Sequence, residues 1–283
     1  MSVRHDDTVP VRFIEVEVEV PGTPEEVWQT IATGPGFTAW FCPTTLEERE
    51  GGTVTFRMGP GMESKGVVTA WEPPRRFVAE ERWMPDAPPC ATEIIVEAQA
   101  GGTCRVRLVN SLFTSKADWD DQLEGLEQGW PGFFEILRLY RTHFPGEVCA
   151  PVQALSISKL DGARVWAELL AGLNLAGAAA GDRRSTAGSG APRLVATVES
   201  VREGKNKMII LRTEEPAAGV AAFGTGDCGP MGLMIWAALY LYGESAATVA
   251  DSEGAKWQEW LSERFPAPAP ESADEAGAVE AAS

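Results

Sequence analysis

The sequence predicts an α+β fold in which a curved antiparallel sheet closes around one long helix, and the arrangement occurs twice. Three observations predict it. Short segments of the first half alternate apolar with charged or polar residues, as strands with one wet face do. Leu123, Leu126, Trp130, Phe133, Leu137, Tyr140 and Phe144 recur at steps of three and four, which puts them on one stripe of a helix. The second half repeats the order strand, helix, strands, helix. A long aromatic stripe needs a concave apolar partner, and one-faced strands need something to cover them, so each feature accounts for the other.

The first strand is the clearest. Ile14, Val16, Val18 and Val20 alternate with Glu15, Glu17 and Glu19, and Pro21-Gly22 ends the run. Pro24 opens a helix that carries Val27, Trp28 and Ile31 on one side. Val54, Phe56 and Met58 alternate with Thr53, Thr55 and Arg57. Thr92, Ile94 and Val96 alternate with Glu93, Ile95 and Glu97, and Val106 and Leu108 with Arg105 and Arg107. If the first strand lies beside the last, the Glu15/Glu17/Glu19 row falls across from Arg105 and Arg107 on the outer face. Pro131, between Gly129 and Gly132, sits inside the helical stripe and predicts a kink or a break there.

In the second half, Ala154–158 reads as a strand and Asp161-Gly162 as the cap of a helix, with Val165-Trp166 echoing Val27-Trp28. Residues 176–191 are rich in Gly, Ala and Ser and read as a flexible loop. Segments 193–200 and 207–213 read as a hairpin pair, 220–223 and 233–242 as strands, and 246–265 as a last helix. Gly224-Thr225-Gly226-Asp227-Cys228-Gly229 fits a dinucleotide-binding spacing. Pro230 and a β-prone aromatic run follow it, so it reads as a glycine turn between strands.

Taken in order, these pieces resemble a known superfamily. The first strand leads to Pro24-Glu25-Glu26-Val27-Trp28 and to a short helix ending in Phe37-Thr38-Ala39-Trp40-Phe41. Then come Gly66-Val67-Val68, Trp71-Glu72-Pro73-Pro74-Arg75-Arg76-Phe77, a Gly101-Gly102-Thr103 hairpin, a strand to Asn110, and the Gly129-Trp130 helix. Residues 11–146 resemble the START-like, helix-grip superfamily, also labelled SRPBCC. Within it they look closest to the branch named after the activator of the heat-shock-protein-90 ATPase. The resemblance implies a helix-grip domain over residues 1–147, and the repeated element order with the Val165-Trp166 echo reads as a second, shortened one over 148–266. Residues 267–283, beginning with alternating Pro and Ala and rich in Glu and Ala, read as a disordered acidic tail.

Composition excludes several functions. A formal net charge of −17 over 283 residues argues against nucleic acid and against anionic membrane surfaces. The longest apolar run, 231–242, is too short to span a bilayer. The five cysteines show no Cys-x-x-Cys spacing and the only histidines are His5 and His143, so no metal or cofactor is expected, and free thiols in a cytoplasmic setting are. Two histidines so placed supply no Ser-His-Asp or Cys-His set.

Candidate ligand-binding residues follow from the stripe and the strands. Trp40, Phe56, Met58, Trp83, Trp130 and Phe134 are the expected wall of a cavity between the first sheet and the long helix. In 77–83, Phe77, Ala79, Glu81 and Trp83 share one face, while Val78, Glu80 and Arg82 share the other. The charged face belongs outside, so Glu81 points inward. A carboxyl group withdrawn from water there could act as an acid, a base or a hydrogen-bond partner for a ligand. Asn110, in phase with Val106 and Leu108, is a second inward polar residue. The expected function is binding of a small hydrophobic molecule, with Glu81 and Asn110 setting its orientation. The alternative is an enzyme similar to polyketide cyclases and aromatases, which share the fold. A chaperone-partner role of the kind the branch name suggests comes third, and a protein partner or a homodimer is compatible with each.

Overall fold

A computed structural model describes residues 11–59, 61–82, 88–113 and 120–267. The first half runs β1 (Val11–Pro21), α1 (Pro24–Ile31), α2 (Gly34–Thr38), β2 (Thr44–Leu46), β3 (Thr53–Gly59), β4 (Met62–Glu72), β5 (Arg76–Arg82), β6 (Cys90–Gln99), β7 (Thr103–Phe113) and α3 (Asp120–His143). Its seven strands form one antiparallel sheet in the order β1-β7-β6-β5-β4-β3-β2. Bulges at Arg57/Gly59 and Val68/Ala70 bend it. The second half runs β8 (Ala150–Ser158), α4 (Gly162–Gly172), β9 (Arg183–Ser185), β10 (Val195–Arg202), β11 (Lys207–Glu215), β12 (Gly219–Asp227), β13 (Leu233–Leu241) and α5 (Ala246–Arg264). Its six strands are ordered β8-β13-β12-β11-β10-β9. In both sheets the first strand pairs with the last, and the closing long helix lies along the first strand, α3 on β1 and α5 on β8. This is the α+β helix-grip arrangement, present in two copies of its element order.

Local chemistry sets the boundaries. Thr23 caps α1 in a capping box, its hydroxyl accepting from the Glu26 N–H while the Glu26 carboxylate accepts from the Thr23 N–H. Asp161 caps α4 by accepting from the N–H groups of Ala163 and Arg164. The outer face of the first sheet carries the expected charge row. Glu17 lies opposite Arg107 and Glu19 opposite Arg105, with ion pairs Arg107–Glu15 at 3.2 Å and Arg105–Glu17 at 3.8 Å. These exposed pairs fix register more than they stabilise.

Helix α3 is the centre of the molecule. One of its faces, with Trp130, Phe134 and Leu137, belongs to the core under the first sheet, as does Phe144 just beyond its end. A second face meets the second sheet. Gly125, Gln128, Gly132 and Glu135 all contact residues of the β10–β11 region. That spacing of three, four and three marks a single helical stripe. Ile136 and Leu139, which lie off the predicted apolar stripe, are buried as well. Met208, Ile210, Val220, Ala222, Tyr240 and Tyr242 of the second sheet share the α3 core, whereas Ile209, Leu211, Ala221 and Phe223 face α4 and α5. The layers are therefore first sheet, α3, second sheet, then α4 with α5. The kink or break expected at Pro131 does not divide α3, which runs through it uninterrupted. Packing from both sides offsets the hydrogen bond that the proline removes.

Two buried tyrosines tie the halves together. The Tyr240 hydroxyl donates to the Phe41 carbonyl and the Tyr242 hydroxyl to the Ala39 carbonyl, each at 2.6 Å. Tyr242→Phe removes one of these bonds and leaves a buried carbonyl without its donor. It is expected to lower stability by about 1–2 kcal/mol in urea unfolding. An unchanged midpoint would mean that this contact does not hold the halves together.

Two sequence expectations need comment. The Gly/Ala/Ser-rich 176–191 segment contains β9, which pairs with β10 and is held by Arg183–Glu214. Short-range composition could not show that pairing. The 224–229 run is a turn only at its end: residues 224–227 continue β12, paired with β13, and the chain turns through Cys228 and the 3-10 turn Gly229–Met231. Residues 268–283, the main part of the predicted acidic tail, lie outside the described residues.

Candidate functional site

The two inward polar residues take part in one buried chain. The Trp130 indole N–H donates to Asn110 Oδ1. Asn110 Nδ2 donates to Thr92 Oγ1 at 2.7 Å, and Thr92 Oγ1 donates to Glu81 Oε1 at 3.2 Å. The Ser64 hydroxyl donates to the other oxygen, Glu81 Oε2. Ser64, Glu81, Thr92, Asn110 and Trp130 are all buried. The chain crosses β4, β5, β6 and β7 and ends on α3. Strand alternation explains why: in each strand these residues take the phase of the core face. Donors and acceptors match along its length, so the low dielectric strengthens the chain rather than penalising it.

Trp40, Phe56 and Phe134 lie in the core. Trp40 is fully buried, donates its indole N–H to the Thr30 carbonyl at 3.1 Å, and has the rings of Phe37, Phe41, Trp130 and Phe134 within 5.8–6.5 Å. Phe56 meets Phe37 and Phe41 edge-on. Trp83 lies outside the described residues.

The sequence places the cavity between the first sheet and α3. Among the described residues much of that space is occupied by the Phe37, Trp40, Phe56 and Phe134 rings, and the cavity lies where α3, the α2–β2 turn and the β3–β4 hairpin meet the second sheet. It has a volume of about 250 Å³. Of the predicted wall, Met58 and Trp130 line it. Phe41 and Cys42 enter from the α2–β2 turn, Met58 and Met62 from the β3–β4 hairpin, and Gly129, Trp130 and Phe133 from α3. The second sheet contributes Met208, Met234, Trp236 and Tyr240, with Gln153, Asn206, Lys207 and Thr225 among the polar residues.

The walls are held by specific contacts. Gln128 Oε1 accepts from the backbone N–H groups of Lys205 at 2.9 Å and Asn206 at 3.2 Å, and Asn206 Nδ2 donates to the Gly125 carbonyl at 2.9 Å. Gln153 Nε2 donates to the Arg57 carbonyl at 3.1 Å. The Trp236 ring lies against β12 at Gly224, where a Cβ would come within 2.4 Å of the ring, and stacks on Phe133 at 6.3 Å. Trp130 links the two features. Its ring lines the cavity and its N–H heads the polar chain.

The electrostatics of the lining are muted. Burial pushes the Cys42 thiol up to about 12, and burial likewise raises the Tyr240 phenol well above its usual value. The Lys207 ammonium is held 2.5 Å from Glu203. No histidine lines the cavity among the described residues, and none of their His, Cys, Asp and Glu side chains form a metal-holding group. A protonated thiol, a neutral phenol and a paired lysine offer no nucleophile with a base beside it.

The buried thiols also set a pH dependence. Cys42 and Cys149 both rise from 9.0 to about 12 on burial. Below pH 9 the thiols are protonated in both states and their contribution is fully present. As pH climbs from 9 towards 12 the unfolded chain ionises first, and stability falls by up to about 1.4 kcal/mol per pH unit for each thiol. Urea midpoints are expected to drop over this window, with a shallower drop in Cys42→Ala. Midpoints that stay flat up to pH 10.5 would contradict this.

Sequence reasoning missed most of this wall. Phe41, Met62, Met208, Met234, Trp236 and Tyr240 were not singled out. Gly125, Gly129 and Gly132 do fall at helical spacing on α3, but small residues at that spacing do not by themselves mark a wall.

Comparisons with known proteins agree with the first-half resemblance. Residues 21–140 match the family model of Activator of Hsp90 ATPase homolog 1-like protein. Among solved structures, DynU16, from the dynemicin biosynthetic locus, is 16% identical, with 88% of this chain and 96% of that one covered and a TM-score of 0.42. CalU16 from Micromonospora echinospora is 20% identical over 47% of this chain and 78% of that one, with a TM-score of 0.40. Aha1, solved as a dimer from Colwellia psychrerythraea, is 19% identical over 48% of this chain and 99% of that one, with a TM-score of 0.39. No curated protein matches the sequence.

Proposed function

We propose that the protein binds a small hydrophobic molecule in the cavity between α3 and the second sheet. The observation that carries this reading is the wall itself, a space of about 250 Å³ whose described lining includes five aromatic and four methionine side chains. Burial of apolar ligand surface supplies affinity at about 25 cal/mol per Å². In this reading residues 1–147 form one helix-grip domain, and residues 148–266 a second, shortened one that acts as the far wall. Glu81 and Asn110 act through Trp130, whose ring they hold in place from behind. All five cysteines are free, which suits the reducing cytoplasm. No described helix is long and apolar enough to cross a membrane.

Native mass spectrometry of the protein as purified tests this reading. The expected spectrum contains a species carrying the added mass of one small organic molecule, lost on mild activation. A bare chain that also takes up no member of a panel of apolar compounds would overturn it.

A further inference from the structure

We propose that the ligand is a flat, uncharged aromatic molecule of bicyclic size, and that Gly129 is the residue that makes room for it. This rests on the cavity reading and narrows it to one chemical class.

Gly129 is the sharpest clue. It lies inside α3 and lines the cavity, and a Cβ built on it would meet no atom of the described residues within 4 Å. Gly132, one turn on, is different: a Cβ there would come within 2.5 Å of Met208 Sδ, so the end of that side chain would have to move to admit it. No such contact, and no positive φ, requires Gly129. Glycine inside a helix is destabilising relative to alanine. The position therefore keeps open a space that no described residue fills.

The walls around that space suit an aromatic plate. Four of the chain's seven methionines, Met58, Met62, Met208 and Met234, line this one cavity. Thioethers make favourable contacts with ring edges and adapt to irregular outlines. The aromatic walls are themselves stacked, Phe41 on Trp130 at 25° and Phe133 on Trp236 at 17° between planes. Stacked rings extend readily to a further ring. An apolar cavity of about 150 Å³ takes benzene, and about 250 Å³ leaves room for a second fused ring. The lysine of the lining is paired with Glu203, so no unpaired cation there calls for an anionic ligand.

Isothermal titration with 2-naphthol as the aromatic probe and 1-octanol as the aliphatic one tests the proposal on the full chain. The expected result is saturable binding of 2-naphthol, at least tenfold weaker in Gly129→Leu and partly weakened in Gly129→Ala. Melting temperatures should equal or exceed the parent's, because a helix glycine has been replaced. Gly254→Leu, in α5, also meets open space but lies away from the cavity, and should leave binding unchanged. If Gly129→Leu fails to fold, the graded loss in Gly129→Ala carries the test. Unaltered 2-naphthol binding in a folded Gly129 variant would overturn the assignment of Gly129. Octanol binding as tightly as 2-naphthol would overturn the aromatic class and leave the apolar cavity standing. If neither probe binds, both the class and the underlying reading fail.

Discussion

Replacing Trp40 with alanine is expected to destabilise the protein by about 3–5 kcal/mol, the range for deleting a large buried aromatic. Trp40 is fully buried between α2 and α3 and its indole N–H is bonded to the Thr30 carbonyl. The substitution removes contacts with the rings of Phe37, Phe41, Trp130 and Phe134 at once. Those neighbours come from two helices and the α2–β2 turn, so they have little freedom to close the hole. Chemical denaturation measures the effect directly. A loss under about 1 kcal/mol, combined with impaired ligand binding, would show Trp40 to be a cavity wall instead of a core residue.

Asn110→Ala is expected to cost about 2–4 kcal/mol, although it deletes only a small polar side chain. Asn110 stands in the middle of the buried chain, accepting from the Trp130 indole and donating to Thr92 Oγ1. Its loss leaves the Trp130 N–H without an acceptor at a buried site and takes a donor from Thr92. Asn110→Ala leaves two buried groups without a partner where Tyr242→Phe leaves one, which is why this change should exceed the Tyr242→Phe effect. Urea unfolding followed by far-UV circular dichroism measures it. A change below about 0.5 kcal/mol would mean that the chain is not closed as described.

Much of the first half was legible in the sequence because its signals are local. The Glu15/Glu17/Glu19 alternation fixed the faces of β1 and, through Arg105 and Arg107, suggested its neighbour β7. The phase of 77–83 turned Glu81 inward, and the phase of Val106 and Leu108 did the same for Asn110. What the sequence did not reveal is that these two belong to one chain, because register between β5, β6 and β7 decides whether Glu81, Thr92 and Asn110 meet. The position of the cavity was hidden for a related reason. Periodicity identified one face of α3 and assigned it to the first sheet. The other face is built of Gly125, Gln128, Gly132 and Glu135, which carry no apolar signal and become legible only when the second sheet lies against them. Trp236 was read as part of a strand, but that Gly224 on the neighbouring strand leaves its ring room to lie there depends on the β12–β13 register.

The central claim is that the ligand lies on the second-sheet side of α3, between the two halves. Indole 15N–1H resonances of the uniformly labelled protein, assigned with single Trp→Phe variants and followed during titration with 2-naphthol, test it most directly. Trp130 and Trp236 line the cavity, while Trp28 and Trp71 pair with each other and do not line it. The account predicts saturable shifts of the Trp130 and Trp236 indole signals, with those of Trp28 and Trp71 unmoved. Shifts confined to Trp28 and Trp71 would contradict it.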